Sequence, residues 1–162
     1  MTGQHAAAEP PVISFAAPAM QQRTAFPSLG LKILVADDNR DAADTLGGLL
    51  MLCGAAVRVC YDGAEAARVA EDFRPDVGLF DVNMPRLDGC GLAGRARELA
   101  GRQPLLLVAI TGVSDGEARR RTAAAGFNLH LTEPADPAGL IRTLAQFDQW
   151  LRSKTTSPGS ES

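Results

Sequence analysis

The amino-acid sequence predicts an α/β protein: a five-stranded parallel sheet with helices on both faces. Two observations carry that reading. Five short apolar runs alternate with five helical patterns, and glycine or proline follows four of the helices, at Gly54, Pro75, Gly101 and Gly126. Strictly alternating strands and helices imply parallel pairing through right-handed crossovers, which places helices on both sides of one sheet.

Leu31–Ala36 is an apolar run ending in Asp37-Asp38, the pattern of a buried strand. Asp41–Leu52 carries Ala43, Leu46 and Leu50 at helical spacing, with Cys53 next in phase and Gly54 as the C-terminal cap. Ala56–Tyr61 is a second strand, Ala64–Phe73 a helix stopped by Pro75, and Asp76–Phe80 a third strand. Leu92–Ala100 is a helix ended by Gly101, and Leu105–Ile110 a fourth strand. Glu117–Ala125 is a helix capped by Gly126, and Phe127–Leu131 a fifth strand. Asp136–Leu151 closes the series, with Leu140, Leu144, Phe147 and Leu151 on one face and Trp150 beside it, read as packing.

A length of 162 residues suits one domain with tails. Residues 1–29 contain Pro10, Pro11, Pro18 and Pro27 among Ala, Ser and Gln, a composition that resists helix and sheet. We expect a disordered extension there, dispensable for folding; its Val12–Phe15 patch offers a docking element, but the tail reads as inert. The folded domain is expected at 30–152, followed by a flexible tail at 153–162, with no DNA-binding output domain after Leu151. Apolar residues make up 46% and charged residues 22%, enough for a normal core. A net charge of −3 points away from nucleic acid. No apolar stretch reaches membrane-spanning length and the N-terminus lacks a signal pattern, so a cytoplasmic protein is expected. Cys53, Cys60 and Cys90 have no metal-ligand spacing and read as reduced, small hydrophobes.

In sheets of this kind chemistry sits beyond the carboxyl ends of the strands, where strand order reverses. The first strand ends in Asp37-Asp38, the third in Asp81 and the fourth in Thr111. Each alone reads as a helix cap. Together, three like charges at one edge repel, and an oxygen-seeking divalent ion, Mg²⁺ or Mn²⁺, resolves the repulsion. With a metal beside it, Asp81 becomes a candidate nucleophile toward phosphorus. Thr111 is placed to donate a hydrogen bond to a phosphoryl oxygen, and Gly112 leaves room for the group.

Ile33-Leu-Val-Ala-Asp-Asp-Asn39, Leu79-Phe-Asp-Val-Asn-Met-Pro85 with Leu87-Asp-Gly89, and Val108-Ala-Ile-Thr-Gly112 resemble the receiver domains of two-component response regulators. Asp38-Asn-Arg-Asp-Ala-Ala-Asp-Thr-Leu46 looks most like receivers attached to, or serving, hybrid histidine kinases. The resemblance implies a flavodoxin-like fold with strand order 2-1-3-4-5. It implies Asp81 as phosphoacceptor, supplied by a phosphohistidine on a histidine kinase or phosphotransfer protein. Asp38 and Asp81 would bind Mg²⁺ directly, Asp37 through water, and Asn83 through its backbone carbonyl. Thr111 would be the switch hydroxyl, and His130 occupies the position of the family's aromatic or histidine switch residue. Output would pass by protein contact through the face of helix 4, strand 5 and helix 5.

One departure from that pattern matters. The family places Lys-Pro after the fifth strand, where this chain reads Leu131-Thr-Glu-Pro134, so Glu133 stands in the lysine's place before Pro134. Three functions follow from the residues. The first is a phosphorylatable receiver without an output domain, not an enzyme, that acts by protein contact or as a phosphorelay intermediate. The second is a pseudo-receiver that binds partners without a phosphorylation cycle, favoured by Glu133. The third is a Mg²⁺-dependent phosphohydrolase, disfavoured because Asn83 stands where a second aspartate would serve as general acid. A flavodoxin-type FMN carrier is disfavoured by two carboxylates in the first loop.

Overall fold

The computed structural model describes residues 27–112 and 115–155. Its strands are β1 (Lys32–Ala36), β2 (Ala56–Cys60), β3 (Val77–Asp81), β4 (Leu106–Thr111) and β5 (Leu129–Thr132). Its helices are α1 (Arg40–Leu52), α2 (Gly63–Phe73), α3 (Gly89–Ala100), α4 (Gly116–Ala125) and α5 (Pro137–Thr155). The alternation read from the sequence is therefore observed throughout. The sheet runs β2-β1-β3-β4-β5 with every pair parallel, the order the resemblance implied. Strand order reverses between β1 and β3, and this opens a crevice at their carboxyl ends.

Alternation along each strand divides the core in two. Ile33, Val35, Leu79, Val108 and Ile110 face α1 and α5, meeting Ala43, Leu50, Leu140, Ile141 and Leu144. Leu34, Ala36, Phe80, Leu107 and Ala109 face the other way, against Ala66 and Ala70 of α2 and Leu92, Ala93 and Ala96 of α3. Both faces of the central strands are thus apolar, which is why these runs read as continuous rather than alternating. The helices are held unevenly. α5 buries Leu140, Ile141, Leu144 and Asp148, whereas α4 buries Thr122 alone.

Four helices begin with an aspartate or asparagine cap: Asn39, Asp62, Asp88 and Asp115 each accept a backbone N–H of the first turn. Gly54 leaves α1 at φ +96°, a conformation that a side chain disfavours, consistent with its reading as the cap.

Several boundaries differ from those read in the sequence. Leu29, assigned to the extension, is 1% exposed and donates its N–H to the Cys53 carbonyl at 2.7 Å. Its apolar side chain belongs to the α1–α5 core despite the neighbouring proline. Helix α5 continues to Thr155, through residues assigned to the tail. Phe127 precedes β5 rather than opening it, and packs edge-on to Phe80 at 6.2 Å in the α2–α3 core. The Val12–Phe15 patch and the last seven residues of the tail lie outside the described residues. Trp150 is 45% exposed and stacks on Phe147 of its own helix at 5.8 Å. Cys60 is buried, Cys53 and Cys90 are partly so, and all three are free thiols. Among the described residues no helix is long and apolar enough to cross a membrane.

Candidate functional site

Register sets the site. β1 and β3 pair so that Ala36 lies opposite Phe80, which brings Asp37 and Asp81 side by side just beyond the paired segment. Asp38 follows Asp37 in the same loop. Asp37, Asp38 and Asp81 each offer an oxygen within 4.8 Å of the other two. The turn residues hold them there. Asn39 N–H donates to Asp37 Oδ1 at 3.0 Å, and the Asn39 side chain then caps α1. Asn83 N–H donates to Asp81 Oδ1 at 3.2 Å. Gly89 lets the Leu87–Gly89 turn close over β3, because a Cβ there would stand 2.4 Å from the Asp81 carbonyl oxygen.

Burial and mutual repulsion disturb these acids. Asp81 is pushed up to about 7, first by burial, then by the charges of Asp37 and Asp38, with the Asn83 N–H working the other way. Asp37 also rises, again chiefly through burial, although its bond from Asn39 and its hydrogen bond with Asp81 hold it back. Without a cation, Asp81 therefore holds a proton toward neutral pH and shares it with Asp37. A set of three carboxylates, all oxygen donors, fits a hard divalent ion such as Mg²⁺.

Thr111 ends β4 and is 2% exposed, while Gly112 follows it. The residues after β5 close the far side, where Glu133 N–H donates to the Thr111 carbonyl at 2.8 Å and the Glu133–Pro134 bond is cis. The Glu133 carboxylate leans inward: its Oε1 lies 4.0 Å from the place of a Cβ on Gly112. Burial and the charges of Asp37 and Asp38 push its pKa up.

His130 sits on β5, half-buried, with Nδ1 3.1 Å from the Thr122 hydroxyl of α4. A cavity of about 300 Å³ joins it to the site, lined by Asn83, Thr111, Arg121, Thr122 and His130 among others. Sequence reading did not single out Thr122 or Arg121; helical spacing alone could not show which side of α4 meets β5. Two cations beside the motif loops are engaged elsewhere. Arg40 lies over the Tyr61 ring at 4.0 Å, and Arg86 pairs with Asp62 at 3.8 Å. A larger cavity, about 690 Å³, lies at the opposite, amino end of the sheet, bounded in part by Lys32, Arg74, Asp76, Asp148 and Arg152. It is far from these carboxylates.

The family described as response regulator receiver domain matches residues 33–145. An "Uncharacterized 14.6 kDa protein in sodA1 3'region" from Leptolyngbya boryana is 39% identical over 72% of this chain and 89% of its own length. The sensor histidine kinase RcsC of Salmonella typhi is 33% identical over 80% of this chain but only 14% of its own. The transcriptional regulatory protein PrrA of Mycobacterium tuberculosis is 36% identical over 68% of this chain, and the chain spans 46% of it. Among solved structures, a CheY-like receiver domain protein from Methanospirillum hungatei superposes with a TM-score of 0.70 at 23% identity, covering 78% of this chain and 99% of that one. The receiver domain of sensor histidine kinase PA1611 from Pseudomonas aeruginosa gives 0.65 at 30% identity, covering 72% and 96%; its structure has a magnesium ion coordinated in the active site cleft.

Proposed function

The chain belongs to the response-regulator receiver family of two-component signalling, and from that membership we propose that Asp81 accepts a phosphoryl group with Mg²⁺ held beside it. The donor is a phosphohistidine on a histidine kinase or phosphotransfer protein. The observation that carries the reading is the convergence of Asp37, Asp38 and Asp81 within 4.8 Å at the strand-order reversal, next to the buried Thr111. Asp38 and Asp81 would hold the metal directly, Asp37 through water, and Asn83 through its carbonyl. The ion supplies charge neutralisation that lets one anion approach another. Asp81 must be deprotonated to attack. Its raised proton affinity means that a bound metal must displace a proton near neutral pH. Transfer forms one bond from an Asp81 carboxylate oxygen to phosphorus and breaks the phosphorus–nitrogen bond of the donor imidazole. Thr111, as the switch hydroxyl, moves to donate to a phosphoryl oxygen, and His130, hydrogen-bonded to Thr122, carries the change into α4.

Output passes by protein contact through α4, β5 and α5. Support comes from the thin packing of α4 and from Leu129 and Trp150, large apolar side chains exposed on β5 and α5. The test of phosphoacceptance is intact mass after incubation with acetyl phosphate and Mg²⁺. One phosphoryl increment on the wild type, absent from Asp81→Asn, is expected. The same increment on both proteins would move the acceptor elsewhere.

Glu133 favours a second reading, a receiver that binds partners without a phosphorylation cycle. Its carboxylate leans toward the site, leaving roughly three net negative charges around a metal-bound phosphoryl group where a lysine would leave roughly one. Losing the charge-assisted bond weakens phosphorylation by about 1.5–3 kcal/mol. Glu133→Lys should therefore raise the phosphorylated fraction under identical acetyl phosphate. An unchanged fraction would show that the charge at this position has no bearing on the cycle.

A further inference from the structure

Helix α4 carries a cation that the reading above leaves without a task. Arg121 lines the cavity of about 300 Å³ that it shares with Asn83, Thr111 and His130. It forms no ion pair among the described residues, and its guanidinium lies against the Cys90 thiol at the start of α3. We propose that Arg121 contacts the phosphoryl group from α4, replacing the cation that Glu133 removes from the segment after β5. The proposal rests on Asp81 being the phosphoacceptor.

Direction supports it. Helix α4 begins at the carboxyl edge of the sheet, and side chains of a helix tilt toward its N-terminus. That tilt carries the long arm of Arg121 along the cavity wall it shares with Asn83 and Thr111, beside the Cys90 thiol. A phosphoryl group on Asp81 would lie between Thr111 and the Asn83 N–H, on the cavity side. Glu133 stands beside Gly112 and does not line that cavity, so its charge and that of Arg121 belong to different walls of the site. The alternatives are committed: Arg40 covers Tyr61 and Arg86 meets Asp62. Asp115 and Glu117 line the same cavity, yet neither pairs with Arg121. A guanidinium presents two parallel N–H donors to phosphoryl oxygens, which suits an approach from the side. Because α4 buries only Thr122, the helix is lightly held and can shift toward the site.

A four-protein cycle tests this: wild type, Arg121→Gln, Glu133→Lys and the double variant, each with acetyl phosphate and Mg²⁺, read as the phosphorylated fraction by intact mass. Arg121→Gln should lower the fraction roughly tenfold in the wild type, and by less than about twofold in the Glu133→Lys background, where a second cation is present. Arg121→Lys should recover part of the loss. The Mg²⁺-induced rise in melting temperature should be the same in wild type and Arg121→Gln, separating a phosphoryl contact from damage to the fold. Equal losses in both backgrounds, or no loss in the wild type, overturn the inference and leave Asp81 in its role. Phosphorylation of Glu133→Lys but never of the wild type also overturns it, since Arg121 then replaces nothing. If no protein of the four takes the phosphoryl group, the reading of Asp81 fails and the inference with it.

Discussion

At the amino end of the sheet, Asp148 of α5 accepts the Gly30 N–H at 2.9 Å and pairs with Arg152 at 2.9 Å, although its side chain is only 7% exposed. Asp76 there accepts the Lys32 N–H at 2.9 Å, and Arg74 donates to the Glu71 and Leu99 carbonyls. At the carboxyl end, Asp37, Asp38 and Asp81 face one another, Glu133 leans toward them, and Arg40 and Arg86 turn away. The same residue type is paired at one end and crowded at the other. Acids at the amino end meet a donor or cation within the chain; acids that held a ligand would instead take their counter-charge from outside. The larger cavity lies at the paired end, away from the acid cluster.

The amino end should respond to mutation as structure does. Leu29→Ala should lower stability by about 2–4 kcal/mol, measured by urea unfolding, because a fully buried leucine leaves a cavity. A deletion ending at residue 26 spares Leu29 and should shift the midpoint far less than one ending at 29. Equal effects would remove Leu29 from the core.

Asp148→Ala comes next. It strips the Gly30 N–H and Arg152 of their acceptor and should destabilise by about 1.5–3 kcal/mol, with Arg152 softened by its own exposure. A neutral result would put this acid in the same class as those at the other end.

Asp81→Asn should have the opposite sign. In metal-free protein the raised proton affinity of Asp81 favours the fold at low pH, and that contribution is lost as pH rises from about 4 through about 7. Removing the charge should therefore stabilise by about 1 kcal/mol at pH 8, discounted for partial exposure, and by nearly nothing at pH 4. Metal-free melting curves at the two pH values test it. Destabilisation at pH 8 would mean that Asp81 is a structural acid like Asp148.

Much of this was legible in the sequence for a physical reason. Asp37, Asp38, Asp81 and Thr111 each follow an apolar run, and a parallel sheet places such ends at one edge whatever the helices do. Strand order came from the family resemblance, because alternation alone allows several orders. What escaped depends on tertiary packing. The core role of Leu29 was masked by Pro27 and by the composition before it. The last turn of α5 was hidden by Ser153 and Thr155, weak helix formers whose hydroxyls bond back to helix carbonyls. The meeting of His130 with Thr122, and the approach of Arg121 to the cavity, follow from how α4 sits on β5, which periodicity does not report.

Mg²⁺ titration, by calorimetry and by thermal shift, tests most directly the claim that the carboxyl-end acids await a cation. Saturable binding is expected for the wild type, with a higher melting temperature at pH 8 than without metal, and binding should be sharply weakened in Asp38→Ala and Asp81→Asn. Binding should also fade as pH drops below about 7, because protons compete for Asp81. No binding at millimolar Mg²⁺, or the same affinity in all three proteins, would contradict the account.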